Sequence, residues 1–242
     1  MKGTYQKTVV ILPGLCDSSA RLGVPNTFSL FMDIAAEHAQ HLGIGAADLG
    51  KRGLFWLTVR TKVRFYRRPA MMEETELSTW PEQPERLRCC RDYRLCKGDE
   101  LLAEGRTEWA ILDTAAGTLC PAKDIYPPEL VIPEDTVAIP PFSRIGDDFS
   151  DGKTLGEYVV RSTDIDLGGH MNNAAYIRAC AGAFSCREWQ EPEITGAEAV
   201  FRAPCFEGDR LVLQKRSGEG ALDLRASLPE GKTVFLMRLV RH

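Results

Sequence analysis

One stretch of the chain gathers most of the residue types that do chemistry: Ser162-Thr163-Asp164-Ile165-Asp166-Leu167-Gly168-Gly169-His170-Met171-Asn172-Asn173-Ala174-Ala175-Tyr176. Two carboxylates, a glycine pair, a histidine and an asparagine pair stand directly before an alanine-rich helix. Glycine lacks a Cβ and so lets the backbone come close to a ligand. Asn172 and Asn173 are side chains that cap helix starts. The first turn of such a helix offers unpaired N–H groups, at Gly169 to Met171 and onward, and the positive end of the helix dipole. Together these suit a developing oxyanion. Singly, Asp166 reads as an Asx turn, His170 as a packed loop residue and the asparagines as a cap. Crowded together, they read as a site.

These groups must be positioned by a fold, and composition bounds which kind. The chain has 242 residues, enough for one large domain or two small ones. Its 44% hydrophobic and 26% charged content is that of a globular protein, which excludes disorder, collagen and coiled coil. A formal charge of −4 argues against a general nucleic-acid binder. No apolar run reaches the roughly 18 residues of a membrane span. The run Thr8 to Leu12 is short and ended by Pro13, unlike a signal-peptide core, and the leucine before Cys16 does not suit a lipoprotein cleavage site. The expectation is a soluble, cytoplasmic protein. The eight cysteines form no C-x-x-C pair and, with only four histidines, no zinc spacing, so neither metal nor cofactor is expected. Apart from Cys205, the cysteines read as small buried hydrophobes. No G-x-S-x-G elbow supports a serine hydrolase.

An internal repeat organises the chain. The stretch Val63-Arg-Phe-Tyr-Arg-Arg-Pro69 resembles Ala199-Val-Phe-Arg-Ala-Pro204, with Pro69 set against Pro204. Upstream, Phe28, Phe31, Met32 and Ala35 recur at helical spacing, as do Tyr176, Ile177, Cys180, Ala181 and Phe184. Asp17 precedes the first helix and Asp164 the second, which leaves no first-half match for Asp166 or His170. Downstream come alternating segments at Glu76–Trp80, Arg86–Leu95 and Leu101–Leu112, then at Arg210–Lys215, Ala221–Leu228 and Thr233–Val240. One helix followed by several strands, twice, predicts an α+β fold with antiparallel meanders. The expected halves are 1–124 and 152–242, joined by a proline-rich, acidic linker at 125–151, with the two sheets paired edge to edge.

The pattern Asp164-x-Asp166-x-x-Gly169-His170-x-Asn172-Asn173-x-x-Tyr176 opening a helix resembles the hot-dog thioesterases. The tandem arrangement over residues 5–242 resembles the acyl-ACP thioesterase family of plants and bacteria. Phe55-Trp56-Leu57-Thr58-Val59-Arg60 before the first strand, Thr79-Trp80 and Thr107-Glu108-Trp109 agree with it. The resemblance implies a double hot-dog, two long helices each wrapped by an antiparallel sheet. It also implies hydrolysis of the thioester between a fatty acyl chain and acyl carrier protein. The family aspartate falls on Asp166 and its histidine on His170. A family asparagine falls on Gly168, and a family glutamate on Pro204, followed by Cys205.

A thiolate leaving group, with a pKa of about 8.5, needs no strong general acid. Asp166 is therefore expected to orient or deprotonate the attacking water, or to attack directly, with His170 assisting. A Cys205 thiolate paired with His170 is the alternative nucleophile. The resemblance places the acyl chain in the first half, where Phe31 and Trp56 are the candidate contacts. Acyl carrier protein, the expected partner, is acidic. Residues 51–98 carry 12 Lys/Arg against 6 Asp/Glu, and Arg60, Lys62, Arg64, Arg67, Arg68, Arg86, Arg88, Arg91 and Arg94 could form a basic face for it. Acyl-CoA hydrolysis and a catalytically inactive acyl-binding module are the competing functions. The chain is expected to be a monomer or a homodimer.

Overall fold

The alternating segments become antiparallel strands, and each set folds around one helix. The computed structural model describes residues 3–191, 193–218 and 220–241. It divides into two compact units, Met1–Pro140 and Pro141–His242. In the first, β1 (Tyr5–Val10), β2 (Leu54–Phe65), β3 (Glu74–Pro81), β4 (Cys89–Lys97) and β5 (Glu100–Asp113) form a sheet in the order β1-β3-β4-β5-β2. The short β6 (Thr118–Cys120) pairs with β5. Phe55 to Arg60 lie within β2, not before it as expected.

Helix α1 (Val24–His41) has a proline in its first turn, where a fixed φ favours helix and the missing N–H is not needed. Its buried face meets the sheet at Phe31, whose ring stacks on Tyr93 of β4 with centroids 4.4 Å apart. Tyr93 lies opposite Gly105 of β5, and a Cβ at Gly105 would stand 2.1 Å from the Phe31 ring. The helix can approach the sheet this closely only over glycine. A short α2 (Ala46–Gly50) follows.

In the second unit β7 (Lys153–Val159), β8 (Ile194–Phe201), β9 (Arg210–Gly218), β10 (Ala221–Ser227) and β11 (Thr233–Arg241) pair in the order β8-β11-β10-β9-β7. Helix α3 (Asn173–Gly182) stacks Tyr176 on Phe235 of β11 at 5.3 Å. It is shorter than expected, with 10 residues against 18 in α1. The chain leaves the helix after Gly182. Ser185 then caps a new helix, α4 (Cys186–Gln190), through a reciprocal Ser185–Glu188 box.

The stretch expected as a linker is packed chain. Residues Val137 and Ile139 cover Trp80, whose Nε1 donates to the Asp135 carbonyl at 2.8 Å. Asp92 is fully buried. It is paired with Arg106 and accepts the Val137 N–H at 3.1 Å. In the second unit Ile145 and Phe149 pack on Leu236, and Ser143 donates its N–H (2.9 Å) and its hydroxyl (2.9 Å) to buried Glu198. Buried carboxylates need donors, and these straps supply them. No helix among the described residues is long and apolar enough to cross a membrane.

Candidate active site

The Asp166 loop is built from backbone hydrogen bonds inward. A 3₁₀ turn, Ser162–Asp164, precedes it. Asp164 is a structural pin. It is buried, accepts the Tyr158 hydroxyl and the Arg161 N–H, both at 2.8 Å, and its carbonyl accepts the Asn172 N–H at 2.7 Å. The Asp166 N–H donates to the His170 carbonyl at 2.9 Å, which closes the loop and puts the two residues side by side. Within it, Gly169 donates to the Asp166 carbonyl at 3.0 Å, and Gly168 donates to Asp166 Oδ1 at 2.8 Å. Gly169 sits at φ +74°, a left-handed conformation natural to glycine.

Asp166 is exposed, and its Oδ2 has no partner among the described residues. Leu167 beside it is 96% exposed. His170 is half-buried with its ring 5.2 Å from that of Phe206. Met171 is buried, and its N–H donates to the Cys205 carbonyl at 2.8 Å. Asn172 caps α3 by accepting the Ala174 N–H at 2.9 Å. Of the backbone donors expected for an oxyanion, Gly169, Met171 and Asn172 are therefore committed to the loop itself. The N–H groups of His170 and Asn173 have no partner among the described residues.

Cys205 does not join His170. It is fully buried, its thiol lies by the Tyr176 hydroxyl, and burial raises its pKa. A protonated, enclosed thiol is a poor nucleophile.

The first unit repeats this loop. Asp17 N–H donates to the Arg21 carbonyl at 2.9 Å, Ala20 to the Asp17 carbonyl at 3.0 Å, Ser19 to Asp17 Oδ1 at 2.9 Å and Gly23 to the Leu15 carbonyl at 2.9 Å. Leu22 donates to the Pro69 carbonyl as Met171 does to that of Cys205. The partner of Asp17 is thus Asp166, not Asp164 as expected. Arg21 matches His170, Pro69 matches Cys205 and Arg68 matches Pro204.

A cavity of about 140 Å³ opens in the first unit between α1 and the sheet. Met32, Ala35, Ala36 and Ala39 of α1 face Trp56, Arg91, Trp109 and Tyr126 across it, with Ala46 of α2 alongside. Trp56 lines it as expected, fixed by an Nε1 hydrogen bond to the Ile44 carbonyl at 2.9 Å. Phe31 does not. It is core, and its neighbour Met32 faces the cavity. The run of alanines opposite two tryptophans was the available signal, since small side chains on one wall leave space before large ones.

The expected basic face is mostly consumed by pairing. Arg60 and Arg88 meet Glu108, Arg67 meets Glu73 and Glu100, Arg68 meets Asp17, Arg94 meets Asp135, and Arg91 is buried.

A helix held against an antiparallel sheet, twice in one chain, defines a double hot-dog. Residues 2–126 match the family model of the acyl-ACP thioesterase N-terminal domain, and residues 150–228 that of the C-terminal domain. The chain belongs to the acyl-ACP thioesterase family. The crystal structure of an acyl-ACP thioesterase from Bacteroides thetaiotaomicron superposes with a TM-score of 0.87 at 20% identity, covering 99% of this chain and 98% of that one. The 12:0-ACP thioesterase of Umbellularia californica gives 0.80 at 17%, covering 99% and 97%. At these identities the likeness is one of fold. A chloroplastic oleoyl-acyl carrier protein thioesterase of Arabidopsis thaliana is 25% identical over 167 residues, 62% of this chain and 45% of its own length. An acyl-[acyl-carrier-protein] hydrolase of Cuphea viscosissima is 22% identical over 210 residues, 77% and 50%. The chain spans about half the length of these curated relatives.

Proposed function

We propose that the chain hydrolyses the thioester of fatty acyl-[acyl carrier protein], releasing free fatty acid and the carrier thiol. The observation that carries this is the Asp166 loop. In a chain of this family, its carboxylate keeps one oxygen unengaged, directly before a helix start with unpaired N–H groups. Asp166 Oδ2 accepts a proton from the attacking water and orients it. The His170 and Asn173 N–H groups receive the carbonyl oxygen as it becomes an oxyanion. The tetrahedral intermediate collapses and expels the thiolate, which leaves without a strong acid. The His170 ring, steadied by Phe206, bounds the water position.

The apolar cavity of the first unit supports an acyl chain as the group carried, with Trp56 and Met32 against it. Gly168 in place of the family asparagine is consistent with the Asp166 scheme, because its N–H holds the Asp166 Oδ1.

The test is thiol release from acyl-ACPs of 8 to 18 carbons beside the matching acyl-CoAs, with Asp166→Asn as control. Hydrolysis of the ACP series that the variant loses supports the reading. Hydrolysis of acyl-CoAs alone moves the carrier assignment, and tight acyl binding without turnover overturns the enzyme. Cys205→Ser is expected to keep kcat within about threefold, because a buried thiol contributes packing and not nucleophilicity. A loss of 10²-fold or more would restore the cysteine route.

A further inference from the structure

The inward face of β4 carries Cys89, Arg91, Tyr93 and Leu95 by strand alternation. Three of these suit a core against α1, and Arg91 does not. It is 6% exposed and borders the apolar cavity together with Met32, Trp56 and Trp109. Its Nη1 donates to His38 Nδ1 at 2.9 Å and to Thr79 Oγ1 at 3.3 Å. Both acceptors are neutral, since an imidazole nitrogen that accepts from a guanidinium carries no proton. No ion pair involves Arg91 among the described residues. The contrast lies in the same unit: Arg68 is buried to the same degree and has the Asp17 carboxylate. A buried charge without a counter-charge is costly and persists where something else supplies the partner.

The two hydrogen bonds use Nη1. Nε and Nη2 remain, and they form the side of the guanidinium fork that matches a carboxylate in bidentate fashion. We infer that Arg91 receives the far end of the acyl chain and that the substrate class it selects is the ω-carboxyacyl thioester. The inference rests on the acyl-thioesterase reading for the chain's identity as ligand, but the selection itself is a binding property of the cavity. A methyl-ended chain would cover the guanidinium without partnering it. A carboxylate-ended chain brings the missing charge, and an ω-hydroxyl brings one acceptor.

Trp56 and Trp109 line the cavity, so occupancy is readable by tryptophan fluorescence. The probes are non-hydrolysable amide analogues of acyl-pantetheine with 12-carbon chains ending in methyl, hydroxyl or carboxylate. They carry no carboxylate at the head that could enter in reverse. The full chain is expected to bind the carboxylate-ended analogue at least about tenfold more tightly than the methyl-ended one, with the hydroxyl between. Arg91→Met is expected to reverse that order and Arg91→Lys to keep part of it. Equal or tighter binding of the methyl-ended analogue by the wild type overturns the inference. So does a ratio that Arg91→Met leaves unchanged. The ratio in the wild type and in the Lys variant decides the matter even if the Met variant fails to fold. The same three chains as ACP thioesters then separate the two readings. Absence of hydrolysis with the binding order intact defeats the thioesterase and leaves the role of Arg91 standing.

Discussion

The loops at Asp17 and at Asp166 share a backbone and differ in what faces the carboxylate. Both close an Asx turn, both follow a 3₁₀ turn and both lead into the helix their sheet wraps. In the first unit, Arg68 reaches across and pairs with Asp17 Oδ2 while also holding the Leu22 carbonyl. In the second, the matching position is Pro204, which has no donor to offer. Burial alone would raise the Asp17 carboxyl, but the Ser19 hydrogen bond and the Arg68 guanidinium outweigh it and hold the group below the ordinary carboxylate range. One aspartate serves as half of a structural ion pair. The other is left with an oxygen for water. A repeated loop thus separates scaffold from chemistry by one substitution on the neighbouring strand.

The sharpest test exchanges the two carboxylates for amides. Asp166→Asn should cost at least about 10²-fold in kcat, the usual worth of a general base, with an unchanged unfolding midpoint. Near-normal turnover would end the assignment. Pro204→Arg should come next, at about tenfold or more in kcat, because it gives Asp166 the partner that Asp17 already has. If turnover in that variant matches the wild type while circular dichroism shows the fold intact, the pairing does not explain why one loop is silent.

Asp17→Asn should act on stability instead. The pair has side-chain exposures of 7% for Arg68 and 15% for Asp17, and removing one partner strands a mostly buried guanidinium. A loss of about 2–4 kcal/mol in urea unfolding is expected, with kcat nearly unchanged. The sign of the pH dependence follows from the lowered Asp17 pKa. Its stabilisation is fully present above the unfolded value of about 3.9 and is lost as pH falls through the lower folded value. The wild type should therefore weaken below about pH 4 by an increment that Asp17→Asn lacks.

Much of this was readable before any coordinates. Helix-then-strands, twice, appears in the spacing of Phe28 to Ala35 and of Tyr176 to Cys180, and the Asp166 loop announces itself by crowding. Three things were not readable, each for a physical reason. The register of the repeat turns on which carbonyl accepts which N–H, so a lone Asp17 fits Asp164 as well as Asp166 until Arg21 and His170 are seen to close equivalent loops. The straps at 127–149 look like free chain because Asp92, Glu104 and Glu198 read as surface charges, and nothing in their type announces that they are buried and in need of donors. Helical periodicity gives a face about two residues wide, too coarse to assign Phe31 to the core and Met32 to the cavity.

The smallest expected difference concerns the turn that both loops share. Gly169 adopts φ +74° without strain, whereas Ala20 is held at φ +54° in the same place. An alanine in that region carries a steric penalty of about 1–2 kcal/mol. Glycine avoids it but loses more chain entropy on folding, about 0.5–1 kcal/mol. Ala20→Gly should therefore stabilise the protein by a few tenths to about 1 kcal/mol. Gly169→Ala should destabilise it by a similar amount and also disturb the Gly168 hydrogen bond that holds Asp166 Oδ1. Urea unfolding measures both, and only the second should lower kcat. If Gly169→Ala costs stability while leaving kcat untouched, the Asx turn positions nothing that matters to the reaction. The orientation of Asp166 would then have to come from the substrate.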